Sequence, residues 1–435
     1  MESKAALNGF HKKFPNPILF LDLDSNIFIC LFGKQMITKI YANEQAPDSY
    51  HAAIFLVGPT PRTNKDPSWR PDALKLIEDF YKNQELNIVV LIPEQRSGVF
   101  GKNNYFFDQV EWEKQHLEMA DVILAWIPRD MKTSLIGLTT NIEFGRYIES
   151  GKLFYGRPKN VDQNRYLDWM YTDVTGRQPV ASLATLTNQV TYYIHEKLAQ
   201  CDCPVREAGE RYVPLHIWST KLFQNWYQSQ RQVGNLLIYA KVLWTFLIHK
   251  VNLTFSYALH VNIWIAAEDR IKRNEFILSR TDISVVVPYW RHPTDVFASE
   301  IVLIKEFRSP ARTADGFVHE LPGGSAFKKS GILQVASDEL YEETSIRISY
   351  DRFRHLDSKQ LAATWSTHFA NVYAVELKPA ELDYAKKIAA SGQTFGVKKD
   401  TEKTYVEVCQ LRDIGKYVDW SMEGMIYRAV FNQPS

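Results

Sequence analysis

Cysteine is scarce in this 435-residue chain: there are four, and only Cys201 and Cys203 lie close together. With no further Cys or His beside them they make neither a zinc site nor a disulfide framework, and they read as structural or incidental thiols. Excess charge of either sign is also missing. Lys and Arg number 51 against 50 Asp and Glu, so the chain has no general electrostatic footprint for nucleic acid or an anionic membrane, and any basic site is local. No uninterrupted run reaches the roughly 20 apolar residues of a membrane span. The most apolar segment, Gly234 to Ala267, is broken by Lys241, His249, Lys250, Asn252 and His260 and reads as a buried helix followed by a strand. The opening residues lack a charged-then-apolar signal pattern, so a cytoplasmic location is the expectation.

What is present is an ordinary globular composition on a chain long enough for two or three domains. Residues 1–50 carry two apolar runs, Ile18 to Leu23 and Asn26 to Phe32, that read as a strand pair. From residue 52 apolar strands alternate with amphipathic helices. Strands are expected at Ala52 to Gly58, Asn87 to Ile92, Asp121 to Ile127 and Leu153 to Tyr155, with helices at Pro71 to Tyr81, Gln109 to Ala120 and Asn141 to Ser150. That rhythm predicts an α/β unit with a doubly wound parallel sheet covered on both faces. Ligands of such sheets bind beyond the carboxyl ends of the strands. The rule selects Gly58, Arg62, Glu94, Arg129, Asp130, Asn141 and Glu143, with Arg62, Arg70 and Arg129 as donors for a phosphate. Asp121 opens its strand at the other end and reads as structural.

Glu143 stands in the first turn of a helix, where the helix dipole favours a carboxylate, and it also stands at the ligand edge, where a carboxylate serves as a nucleophile. The strand ending in Gly58-Pro59 and the turn Glu143-Phe144-Gly145 resemble the nucleoside 2-deoxyribosyltransferase family and its N-glycosidase relatives. The resemblance covers roughly residues 52–158. It implies that Glu143 attacks an anomeric carbon through an oxocarbenium-like transition state, and that the chain forms a homo-oligomer. The family commonly carries an aspartate shortly before the nucleophile; Thr133 to Asn141 contains no acid.

Past a polar stretch from Asp202 to Pro214, Ile217 to His249 reads as helical and aromatic-rich, suited to a core or dimer interface. Strands are expected from about His260 onward. Among them lies Glu320-Leu-Pro-Gly-Gly324 and then Asp338-Glu-Leu-Tyr-Glu-Glu343, which on a helix puts Glu339, Glu342 and Glu343 on one face. Like charges so close are tolerated where a hard cation such as Mg2+, or Mn2+ in its place, takes oxygen ligands. The run resembles a Nudix box, and Arg308 before it is similar to the ADP-ribose pyrophosphatase branch. Carried over, the resemblance makes Gly324 the opening glycine, Glu339, Glu343 and Glu320 metal ligands, Glu342 and Glu402 catalytic, and Arg308 a substrate contact. Ser330, Asp338 and Ser345 stand where the family has glutamate, arginine and glycine.

The expected organisation is a strand pair over 1–50, a deoxyribosyltransferase-like domain over 51–200, a linker and helical connector over 201–255, and an α+β Nudix domain over 256–435. The two resemblances imply N-glycosidic cleavage or transfer joined to Mg2+-dependent hydrolysis of a nucleoside diphosphate derivative such as ADP-ribose. The alternative is a nucleotide-sensing Nudix domain that controls an N-glycosidase or NADase effector, as in phage defence. The partner in either case is a nucleoside or nucleotide, with no stable nucleic-acid or membrane binding.

Overall fold

The computed structural model describes residues 37–63, 65–97, 106–201, 205–249, 252–325, 331–396 and 402–432. The expected strand pair at Ile18 to Phe32 lies outside them.

Five short apolar segments form one parallel sheet: β1 (Ile37–Tyr41), β2 (Ala52–Val57), β3 (Ile88–Ile92), β4 (Val122–Trp126) and β5 (Leu153–Gly156), in the order β1-β3-β2-β4-β5. Strands β2, β3, β4 and β5 are buried on both faces, which is why they read as continuous apolar runs. One face packs on helices α1 (Arg70–Tyr81) and α5 (Leu183–Ala199) through Ile54, Leu56, Ile77 and Val190. The other packs on α2 (Phe106–Met119), α3 (Leu138–Tyr147) and α4 (Arg165–Thr175) through Phe55, Trp112, Phe144 and Tyr171. Because β1 belongs to this sheet, a boundary at residue 50 would sever one of its strands.

Order reverses at β2, so the carboxyl ends of β2 and β4 open a crevice there. At the opposite end, Asp121 ties this unit to the segment from Arg206 to Leu215. Its carboxylate is fully buried, accepts the backbone N–H groups of Ala53 (2.8 Å) and Leu215 (3.0 Å), and pairs with Arg206. Arg206 also donates to the carbonyls of His51 (2.9 Å) and Val213 (2.8 Å).

The aromatic stretch departs from the expectation. Helices α6 (Leu215–Trp218) and α7 (Lys221–Gln232) form, but from Leu236 the chain is extended, and β6 (Leu236–Ile248), β7 (Leu253–Ile265) and β8 (Arg270–Arg280) make an antiparallel sheet. A near-continuous apolar run has no clear period, so it does not separate strand from buried helix; the β-branched and aromatic residues of Leu236 to Ile248 favour the strand. A boundary after residue 255 accordingly falls inside β7. Among the described residues no helix is long and apolar enough to cross a membrane. Cys201 is disulfide-bonded, against its reading as an incidental thiol, because sequence spacing does not report which side chains meet in space.

The third sheet contains β9 (Ile283–Trp290), β10 (Glu300–Glu306), β11 (Val318–Glu320), β12 (Gly323–Ser325), β13 (Arg354–Gln360), β14 (Phe369–Glu376), β15 (Thr394–Phe395) and β16 (Thr404–Gln410). Its order is β13-β14-β9-β10-β16-β15, with β11 on β10 and β12 on β9. Helices α8 (Ile332–Thr344) and α9 (Pro379–Ser391) cover one face through Leu340 and Ile388, and α10 (Trp420–Phe431) the other through Ile426.

Candidate active site

The crevice beyond β2 and β4 is built on close backbone approach. A Cβ on Gly58 would sit 2.1 Å from the carbonyl oxygen of Trp126, so only glycine lets the two strand ends come together. Gly137, with φ +66°, precedes α3 and lies under Pro59, where a Cβ would meet the ring at 2.8 Å. Two loops are thereby pressed against the amino end of the helix that carries Glu143. They are also tied: Ser134 Oγ accepts the N–H of Arg62 (3.0 Å), and the Ser134 N–H donates to Asp66 (3.0 Å).

Glu143 is half-buried, and its carboxyl is pushed up to about 8, first by burial and then by the charge of Glu113, with Arg70 pulling the other way. Glu113, on α2, is itself raised by burial while Gln109 donates to it at 2.9 Å. The charge of Glu113 thus bears directly on the titration of Glu143. Sequence reasoning missed Glu113. The only signal was its place on a helix leading into β4, where Glu111, Glu113 and Glu118 look alike until the sheet selects one.

Arg70 is 1% exposed and donates to the carbonyls of Leu56 (3.3 Å) and Gly58 (2.8 Å) and to Glu94 (2.5 Å). Glu94 also accepts from Ser68 at 2.8 Å. The two therefore form a fixed pair that shapes the crevice, and Arg70 is committed rather than free for a phosphate. Arg129 is likewise spent inside the protein. Its guanidinium donates to the carbonyls of Ile136 (2.8 Å) and Gln163 (3.1 Å) and to Asn141 Oδ1, holding the loop before α3. The expected ligand contacts Arg129 and Asn141 thus satisfy each other, because a buried guanidinium must find acceptors at home. Asp130 caps its own turn through the N–H of Lys132 (2.8 Å). Arg62 is exposed at the crevice mouth.

A second constellation lies on the third sheet. Arg308 reaches Glu306 (2.7 Å) and Glu320 (3.2 Å). Glu343 is 3% exposed and accepts the N–H of Gly323 at 3.0 Å. Burial, followed by the charges of Glu339, Glu320 and Glu402, holds its carboxyl well above the usual range. The Glu339 carboxylate lies directly over Gly324, where a Cβ would meet its oxygens at 2.2 and 2.7 Å. Glu320, Glu339, Glu343 and Glu402 are therefore brought together, and Glu342 is not: it is exposed, one residue off the buried stripe of α8. Two members went unread in the sequence, buried Glu306 and Arg280, whose guanidinium approaches Ser325 Oγ at 3.4 Å and feels both Arg308 and Glu320. Asp338 is exposed and accepts from Gln334 at 2.8 Å. Ser345 takes the left-handed conformation, φ +59°, that a glycine at this helix end would adopt freely. Ser330 lies outside the described residues.

The donor set is oxygen only, and the charges of Glu339, Glu320 and Glu402 that, after burial, raise the Glu343 carboxyl are what a hard divalent cation would offset, so its chemistry fits Mg2+. Among the described residues, however, no three acidic, His or Cys side chains converge as ligands. Arg308 already engages Glu320, and Gly323 already engages Glu343.

Residues 51–161 match a family model described as nucleoside 2-deoxyribosyltransferase like, and the matched span includes β2 to β5 with Gly58, Glu113 and Glu143. No curated protein matches the chain. The chain carries a nucleoside 2-deoxyribosyltransferase-like domain, which fits nucleoside glycosyl transfer.

Proposed function

We propose that the parallel-sheet unit cleaves or transfers at the N-glycosidic bond of a nucleoside, nucleotide or dinucleotide. The observation that carries this is Glu143 on the helix that follows β4, its carboxyl raised by burial and then by the charge of Glu113, which burial raises in turn. With one proton between them, one carboxyl is ionised and the other is an acid. In the reactive form, the minor one in which the proton sits on Glu113 and not on Glu143, Glu143 adds an oxygen to the anomeric carbon as the C–N bond breaks. The base leaves with the bonding electrons and takes the proton of Glu113, and water or a second base then opens the glycosyl ester.

The third-sheet unit is, in this proposal, a Nudix-type hydrolase domain of the ADP-ribose pyrophosphatase kind. Glu320, Glu339 and Glu343 would hold Mg2+ or Mn2+, which when bound polarises a diphosphate. Glu402 and Glu306 stand beside them as candidates to orient water, and Arg308 and Arg280 place positive charge where a diphosphate would lie. ADP-ribose released from NAD by the first unit would link the two. The substrate is a small nucleotide in either unit, consistent with a net charge of +1, and a cytoplasmic location is part of the proposal.

One observation favours a second reading. Arg308 closes on Glu306 and Glu320, as it would in a domain that binds a nucleotide without hydrolysing it and so controls the glycosidase. Half-exposed Trp244 and Phe246 on β6, stacked with centroids 6.2 Å apart, support a homo-oligomer.

Incubation with Mg2+ and a panel of nucleosides, NAD and ADP-ribose tests all of this by chromatography. Base release lost only in Glu143→Ala and AMP release lost only in Glu339→Ala support two active sites. Base release without any diphosphate cleavage supports the sensor, and no product from any substrate overturns the proposal.

A further inference from the structure

At the amino edge of the parallel sheet, away from Glu143, a cavity of about 10 Å3 lies between the sheet unit and the tip of the β6–β7 hairpin. Leu247 of the hairpin presses so closely on Gly151 that a Cβ there would meet its methyl at 2.3 Å. The ring of His216, from α6, closes the cavity. His216 is 3% exposed, and among the described residues neither ring nitrogen has a hydrogen-bond partner. A buried imidazole with both nitrogens unmet calls for an occupant.

The surroundings say which kind. Arg177 and His249 line the same cavity, and among the described residues no carboxylate does. Lys152 and Lys197 stand near enough to act on His216, and with burial they keep it neutral, its pKa pushed down to about 3. Lys152 is spent on the carbonyls of Leu117 (2.8 Å) and Glu118 (3.1 Å), so it offers the cavity charge and no donor. Arg177 lies over the ring of Phe154 at 4.9 Å, and His249 is depressed by burial and then by the charge of Arg177. Asp121, Glu118 and Glu196 act on the two lysines from outside the cavity, so the charge left within it is that of Arg177; a water would satisfy His216 without offsetting that charge. The volume admits one water-sized particle, which excludes phosphate and larger oxyanions.

We propose that this cavity is a monovalent-anion site that takes chloride or a halide of similar size, held between Arg177 and His249 and accepting the N–H of His216. Bound there, the ion ties together residues 177, 216 and 249 and fixes the hairpin tip to the sheet unit. Such a site is independent of what either candidate active site does.

The test compares the full chain in sodium chloride and in sodium gluconate at equal ionic strength. Thermal melting and 35Cl NMR line width are the readouts, with Arg177→Met and His249→Leu beside the wild type. The expected result is a saturable rise in Tm with chloride and with bromide, excess 35Cl broadening, and at least tenfold weaker chloride dependence in each variant. Identical melting in the two salts without excess broadening overturns the proposal, as does broadening that both variants retain. Should Arg177→Met fail to fold, the chloride titration of His249→Leu decides alone: tenfold weakening supports the site, and an unchanged curve overturns it.

Discussion

Glu113 on α2 lies close enough to Glu143 on α3 that, after burial, it is the charge of Glu113 that raises Glu143 to about 8. The pair has one proton in its working state. Base release should therefore fall on the acid side as a second proton is taken up, and again as pH rises past about 8 and the last is lost. Glu113→Gln should remove the alkaline limb and lower kcat by roughly 10^2-fold or more. Glu143→Gln should lower it by at least ~10^3-fold. A pH–rate profile of all three proteins checks this; an alkaline limb that survives in Glu113→Gln rules the pair out.

The same shift carries a stability consequence with a definite sign. Glu143 is raised above the ordinary carboxylate value of 4.5 to about 8, so the native state keeps a proton that the unfolded state gives up. Its contribution is full below about 4.5 and is lost as pH rises through about 8. Glu143→Gln should match the wild type at pH 4 and exceed it at pH 9 by about 1–3 kcal/mol. Urea unfolding at the two pH values measures the difference, and an equal gain at both would contradict it.

Asp121 and Arg206 are each fully buried and hold the amino edge of β4 to the chain entering α6. Asp121→Asn leaves a guanidinium buried without its counter-charge and should cost about 3–5 kcal/mol. Denaturant midpoints of Asp121→Asn, Arg206→Met and the double variant should show strong non-additivity, since either change alone breaks the same pair.

Gly324 is the sharpest probe of the acidic cluster. The three atoms nearest an added Cβ are all at the far end of the Glu339 side chain, so the fold should tolerate Gly324→Ala with a change below about 1 kcal/mol. The displaced carboxylate should lower Mg2+-dependent diphosphate cleavage, or ligand affinity if the unit is a sensor, by about tenfold or more. Gly58→Ala should behave in the opposite manner, because its Cβ would strike the backbone carbonyl of Trp126 at 2.1 Å. That variant should melt lower as well as lose base release.

Much of the first unit was legible. Apolar runs at β2 to β5, with Gly58 closing the first and Gly151 ending the helical turn before the last, are the pattern a doubly covered parallel sheet imposes, and Glu143 followed from the rule about strand ends. The site's other members were not. Arg129 looked like a ligand contact because an arginine at a strand end is identical in sequence whether it faces solvent or acceptors inside the protein. Glu342 looked equal to Glu343 because periodicity gives a face to within about a third of a turn, and the edge of α8's packing on β12 and β16 falls between them.

What the amino-acid order determined by itself is local: where strands and helices start, which glycines must lie bare, and which carboxylates stand near a strand end or a Gly-Gly turn. These follow from short-range sterics and from the period of apolar residues. Tertiary structure alone decided that Leu236 to Ile248 is a strand, that β1 joins the first sheet, and that the charge of Glu113 acts on Glu143 from another helix. It also decided that Arg308 closes on Glu306 and Glu320, and that His216 faces a basic cavity. Each of these depends on the burial and charge of groups brought together from far apart in the chain, and such a free energy exists only once the partners have met.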